Sequence, residues 1–148
     1  MNSKRFFYNF GKAMYHVDSF YDDFAKQSSI STTLLWVLYV LNDGNAHTQI
    51  EICKDWELPR TTVNTVVKEI ERNGYIDLIP IKGKKREMNI VLTKLGKAYA
   101  EDVLSELYEI EAKVYDMLDA NEKQVASMLN KIAESLKESK GGKKCQKK

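Results

Sequence analysis

From about Lys4 to Lys26, apolar side chains fall at Phe7, Phe10, Met14, Val17, Tyr21 and Phe24. Spacings of three and four place them on one face of a helix. Phe6, Ala13 and Phe20 widen that face. One small domain seldom covers so broad an apolar surface, so a second subunit is an expected partner, with ordinary core packing as the alternative. The run S-S-I-S interrupts the pattern, and Ser31 is placed to accept from the free amides of a new helix, T-T-L-L-W-V-L-Y-V-L. That helix is apolar nearly all round and is expected to be central; Asn42, Asp43 and Gly44 stop it.

Thr48 and Glu51 have the spacing of a capping box and start a short helix ending near Trp56. Pro59 then sits at or near the first turn of the next helix, where its missing N–H costs nothing. At 100° per residue, Val63, Val66, Val67 and Ile70 share the core face of residues 60–72. Thr61, Asn64, Thr65, Lys68 and Arg72 fall opposite, with Arg60 and Thr62 on the flanks. Asn73-Gly74 ends the helix. Tyr75 to Ile81 and Met88 to Leu92 are rich in β-formers and predict a hairpin, with Pro80 on an edge strand.

Thr93 caps a long helix with a stripe of Leu95, Tyr99, Val103, Leu107, Ile110, Val114 and Met117, and Gly96 allows close packing near its start. Asp119 with Glu122 opens a last helix whose stripe is Val125, Leu129, Ile132 and Leu136. The fold class that follows is mainly α with a small β-hairpin (α+β). Two short helices, a tight turn and a hairpin with a basic tip outline a winged helix-turn-helix.

The outward face of residues 60–72 holds more Thr and Asn than a solvated helix usually carries. These types suit base edges: Asn bonds adenine at two points, Thr bonds an edge or meets a thymine methyl, and Arg reads guanine. A plain amphipathic surface helix is the competing reading. The hairpin tip I-K-G-K-K-R sets Lys82, Lys84, Lys85 and Arg86 around Gly83. Such a tip suits a phosphate backbone or minor groove, although basic residues at a sheet edge also discourage aggregation.

The chain has 148 residues, 43% hydrophobic and 30% charged, the composition of an ordinary globular protein. The net charge of +2 is misleading, because the tail at 140–148 carries five lysines and no acid. Residues 1–139 hold 18 basic and 21 acidic groups, a net of −3, so attraction to DNA must come from local patches. The apolar run Leu34–Leu41 is too short to span a membrane and no secretory signal is apparent, so the expected location is cytoplasmic, without membrane association. Cys53 and Cys145 have neither metal-site nor disulfide spacing, and Cys53 is expected to be a buried small residue. His16 and His47 are the only histidines and have no clustered carboxylate spacing, so no metal and no cofactor are expected. An enzyme is disfavoured because no nucleophile and base, phosphate loop or paired catalytic carboxylates appear.

The order of elements resembles the MarR family of bacterial transcriptional regulators over nearly the whole chain. The resemblance is carried by T-Q-I-E-I-C, by T-T-V-N-T-V-V-K-E-I-E-R-N-G-Y-I and by V-L-T-K-L-G. It implies a single domain over 1–139, with a winged helix-turn-helix core at about 31–93, dimerisation helices at about 4–27 and 94–139, and a disordered basic tail at 140–148. The implied function is that of a homodimeric DNA-binding regulator, a repressor of a near-palindromic operator relieved by a small-molecule effector. The alternative is a winged-helix protein-interaction module without sequence-specific DNA binding. The implied partners are double-stranded DNA and a second copy of the chain. Arg60, Thr61, Thr62, Asn64, Thr65 and Lys68 would read or flank bases, and Lys84, Lys85 and Arg86 would meet the backbone or minor groove. Met14, Trp36 and Tyr39 would line an effector cleft, with core packing as the competing role for each. Three positions depart from the family pattern. Lys84 stands where an Asp usually precedes the wing arginine, Glu57 where the turn often has Gly, and Thr65 where many members have Arg. The reactive cysteine expected in the first helix of peroxide-sensing members is absent.

Overall fold

The computed structural model describes residues 1–141. It divides into two compact units, Met1–Leu107 and the stretch from Tyr108 onward.

In the first unit, α1 (Ser3–Gln27) begins at Asn2, whose side chain accepts from the Arg5 amide. Only Phe24 and Ala25 of α1 are buried, while Phe6, Phe7, Met14, Val17 and Phe20 remain exposed in the single chain. Ser31 caps α2 (Thr32–Leu41) as expected, its Oγ accepting from Leu34 N at 3.1 Å. This helix is the centre of the unit: Leu35, Val37 and Leu38 are fully buried, and it packs against α1, α4 and β3. Thr32 Oγ1 donates to Asp22 Oδ1 at 2.8 Å and ties its start to α1.

A two-residue strand, β1 (His47–Thr48), precedes α3 (Gln49–Trp56). The hairpin is formed by β2 (Ile76–Pro80) and β3 (Met88–Leu92), and the three strands pair antiparallel in the order β1-β3-β2. The sequence pattern indicated only the hairpin. The extra strand exists because His47 and Thr48 pair with Ile90 and Asn89, a contact made far along the chain. His47 is also clasped by Asp43, its Nε2 lying 2.9 Å from both carboxylate oxygens. Hydrogen bonding to His47, with the Asn45 amide, holds the Asp43 carboxyl below the ordinary value of 3.8.

Both capping-box bonds at α3 are present, Glu51 N to Thr48 Oγ1 at 3.1 Å and Thr48 N to Glu51 Oε2 at 2.8 Å. α4 (Arg60–Arg72) buries Val63, Val66, Val67 and Ile70, the four residues its periodicity selects. Each such burial stabilises by roughly 1.5–3 kcal/mol. The long helix α5 (Lys94–Met117) differs from its expected stripe. Its buried positions are Gly96, Ala100, Leu104 and Leu107, one residue round from Leu95, Tyr99 and Val103. Gly96 packs closely and Leu107 is buried, as expected, whereas Ala100 and Leu104 are buried in place of Tyr99 and Val103, because a pattern of large apolar side chains passes over the small residue at 100. Thr93 locks the junction: its Oγ1 accepts from Gly96 N at 3.0 Å and donates to Gly74 O at 2.7 Å.

The second unit holds the end of α5 and α6 (Val125–Gly141), joined through a 3₁₀ turn at Glu122–Gln124. Asp119 and Glu122 cap each other, with both amide-to-carboxylate bonds at 2.8 Å. Lys123 Nζ lies 4.1 Å above the Tyr115 ring. Of the expected α6 stripe, Val125 and Leu136 are exposed and Leu129 and Ile132 half-buried. The helix continues through Lys140 and Gly141, which were expected in a disordered tail; the rest of that tail, with Cys145, lies outside the described residues. No helix among the described residues is long and apolar enough to cross a membrane.

Candidate nucleic-acid interface

The rotation of α4 is set at both ends. Before it, the turn from α3 passes through Glu57 at φ 49°, ψ 38°, the left-handed region that a non-glycine residue adopts at a cost of about 1–2 kcal/mol. Leu58 N donates to Cys53 O at 3.2 Å, closing this turn, and Pro59 takes the N-cap position just ahead of the helix. Behind it, the four buried residues pin the inner face.

The outward residues then separate into two groups. Arg60, Asn64 and Lys68, four residues apart, line a groove of about 400 Å³ shared with Arg86 of the hairpin turn. Asn64 is half-buried there, whereas Thr61, Thr62 and Thr65 are exposed and do not line the groove. Thr65 Oγ1 donates to Thr61 O at 3.0 Å, which occupies its proton but leaves its oxygen able to accept.

The hairpin turn is built on Gly83 at φ 83°, with Lys84 N donating to Ile81 O at 3.1 Å. Its lysines are not equivalent. Lys84 Nζ pairs with Glu87 at 2.6 Å, and the hydrogen bond to that carboxylate raises its pKa above the usual lysine value. Lys85 is exposed, outside the groove. Glu87 was not singled out in the sequence, although its three-residue spacing from Lys84 is a recognisable signal.

Cys53 also lines the groove and is half-exposed, contrary to the expectation of a buried residue. The end of a short helix lies at the edge of the core, so its apolar neighbours Ile50 and Ile52 do not bury it equally; Ile50 is itself exposed. Of the residues assigned to an effector cleft, Trp36 and Tyr39 come together, with ring centroids 5.6 Å apart, in a cluster that also contains Tyr21 and Trp56. Met14 is exposed on α1 and lines neither the groove nor a second cavity beside Tyr39 and Trp56. Among the described residues no group of three or more His, Cys, Asp or Glu side chains is placed to hold a metal ion.

A helix set on a partner helix by a tight turn, followed by a hairpin whose basic tip shares a groove with it, defines a winged helix-turn-helix. No protein-family model matches the sequence, and no curated protein matches it significantly. Solved structures do. The chain is similar to NMB1585, a MarR family regulator from Neisseria meningitidis, at 25% identity and a TM-score of 0.83, covering 97% of this chain and 99% of that one. It is also similar to S. aureus MepR in its DNA-binding conformation, at 25% identity and a TM-score of 0.72 over 88% of this chain and 98% of that one. The MepR–DNA complex matches at 25% identity and a TM-score of 0.63, over 87% and 96% of the two chains. The chain shares the winged-helix fold of these MarR-family regulators over nearly its whole length.

Proposed function

We propose that this protein is a homodimeric cytoplasmic repressor that binds a near-palindromic DNA operator and is released by a small-molecule effector. The observation that carries DNA binding is the convergence of Arg60, Asn64 and Lys68 of α4 with Arg86 of the wing on one groove. In this reading α4 enters the major groove, where Arg60 and Lys68 recognise guanine edges or phosphates and Asn64 recognises adenine. Thr61, Thr62 and Thr65 accept from or touch neighbouring base edges, while Lys84, Lys85 and Arg86 lie along the backbone or in the adjacent minor groove. The relation to a protein solved on DNA supports the same assignment.

The exposed apolar face of α1, together with α5 and α6, supplies the dimer contact. Two-fold symmetry then sets the half-sites about one helical turn, roughly 34 Å, apart. An effector bound near Met14, Trp36 and Tyr39 would act by altering that spacing, which needs a coupling of only about 1–3 kcal/mol.

Sequencing the DNA fragments that the purified protein retrieves from its own genome tests this reading. An inverted repeat with half-site centres about one turn apart, bound by two chains, is expected. Retrieval without sequence preference would remove the operator from the account.

A further inference from the structure

The second cavity, of about 260 Å³, lies between the end of α2, β1 and α3. Its walls are Tyr39, Val40, Asp43, His47, Ile52, Asp55 and Trp56, so that two carboxylates and two aromatic rings face it and no lysine or arginine does. The Tyr39 and Trp56 rings stand 6.2 Å apart and 63° to one another, forming a corner. Trp36 backs that corner, its ring 4.9 Å from Trp56. Asp43 is engaged by His47, but among the described residues Asp55 has no ion-pair partner. An aromatic corner attracts a cation through the ring faces, and a weakly hydrated cation most readily. The acids supply the matching charge.

We propose that this cavity binds a small organic cation carrying a substituted ammonium group. The corner takes the alkylated head, Asp55 supplies the countercharge, and Asp43 adds to the negative field while remaining bound to His47. The size of the cavity fits a compact head with a short chain. The site lies within the winged-helix unit and does not include Arg60, Asn64, Lys68 or Arg86, so it stands or falls independently of DNA binding.

Choline and its neutral isostere 3,3-dimethylbutan-1-ol are the probes, titrated into the full chain without DNA. The readout is the pair of indole resonances of Trp56 and of Trp36, whose ring lies 4.9 Å from Trp56 and which still reports in a chain lacking Trp56. Saturable choline binding is expected, with the neutral isostere at least about tenfold weaker. Asp55→Asn, which preserves shape, and Trp56→Leu should each weaken choline by about three- to thirtyfold. Asp55→Asn carries the test if Trp56→Leu disturbs folding. Equal shifts from choline and the alcohol, no saturation, or an unchanged affinity in Asp55→Asn would overturn the proposal.

Discussion

Gly96 lies directly against the carbonyl of Tyr75: a Cβ at residue 96 would overlap its oxygen and stand 2.7 Å from its carbon. The contact joins the first turn of α5 to the start of the wing, and it is reinforced from both sides. Thr93 N donates to Tyr75 O at 3.0 Å, and the Tyr75 and Tyr99 rings stack at 4.3 Å, only 8° from parallel. Burial of Tyr99 in this stack pushes its hydroxyl pKa upward. The base of the wing is therefore fixed by backbone contact, and its basic tip is carried on a rigid root.

Gly96→Ala tests that root. Alanine has the better helix propensity by about 1 kcal/mol, so a purely local view expects stabilisation. The overlap with Tyr75 dominates, and destabilisation of about 1–3 kcal/mol is expected in denaturant unfolding. A gain in stability would show that the two backbones separate at little cost.

Glu57 makes the opposite case. It holds φ 49° with a Cβ, and Glu57→Gly removes that strain while adding backbone entropy to the unfolded chain. The first effect is the larger, so a net stabilisation of up to about 1 kcal/mol is expected from thermal or urea unfolding. A loss of stability would mean that the Glu57 side chain contributes more than its backbone costs.

The features that were legible in the sequence are those decided within a few residues. Ser31, the Thr48–Glu51 pair and Thr93 were legible as caps because a cap needs only its own first turn. Val63, Val66, Val67 and Ile70 were legible because one helical period separates them cleanly from the polar face. β1 was not, since two residues become a strand only when Asn89 and Ile90 arrive beside them. The close packing at Gly96 is legible in the sequence, but the burial of Ala100 and Leu104 in place of Tyr99 and Val103 is not, because Ala100 is buried for its smallness. At the candidate site the outward residues of α4 could be enumerated, but not their division into a groove set with Arg86 and an exposed threonine set. That division depends on where the wing folds back, which no local pattern encodes.

The Lys84–Glu87 pair separates the wing cations experimentally. Both groups are on the surface, so the pair contributes little to stability, but it occupies Lys84 before DNA arrives. Glu87→Gln removes the carboxylate, and the slope of log K against log salt should steepen by about one. An unchanged slope would mean that Lys84 already exchanges Glu87 for phosphate in the complex.

Acid should weaken the β1 end through Asp43. Its carboxyl is held below 3.8 in the folded chain, chiefly by His47, so its contribution is full above that value and is lost as pH falls through the lower, folded value. The stability difference between the wild type and Asp43→Asn should therefore shrink as pH falls below about 4. Unfolding curves across that range would contradict the assignment if the difference were independent of pH.

The central claim is that α4 and the wing act together on DNA through the groove they share. The most direct measurement is fluorescence anisotropy of a retrieved operator fragment across a salt series, for the wild type, Asn64→Ala and Arg86→Ala. Arg86→Ala should weaken binding on all sequences alike and make the salt slope shallower by about one, and Asn64→Ala should cost about 1–3 kcal/mol and relax preference at one base position. Affinities, slopes and base preference indistinguishable from the wild type in both variants would contradict it.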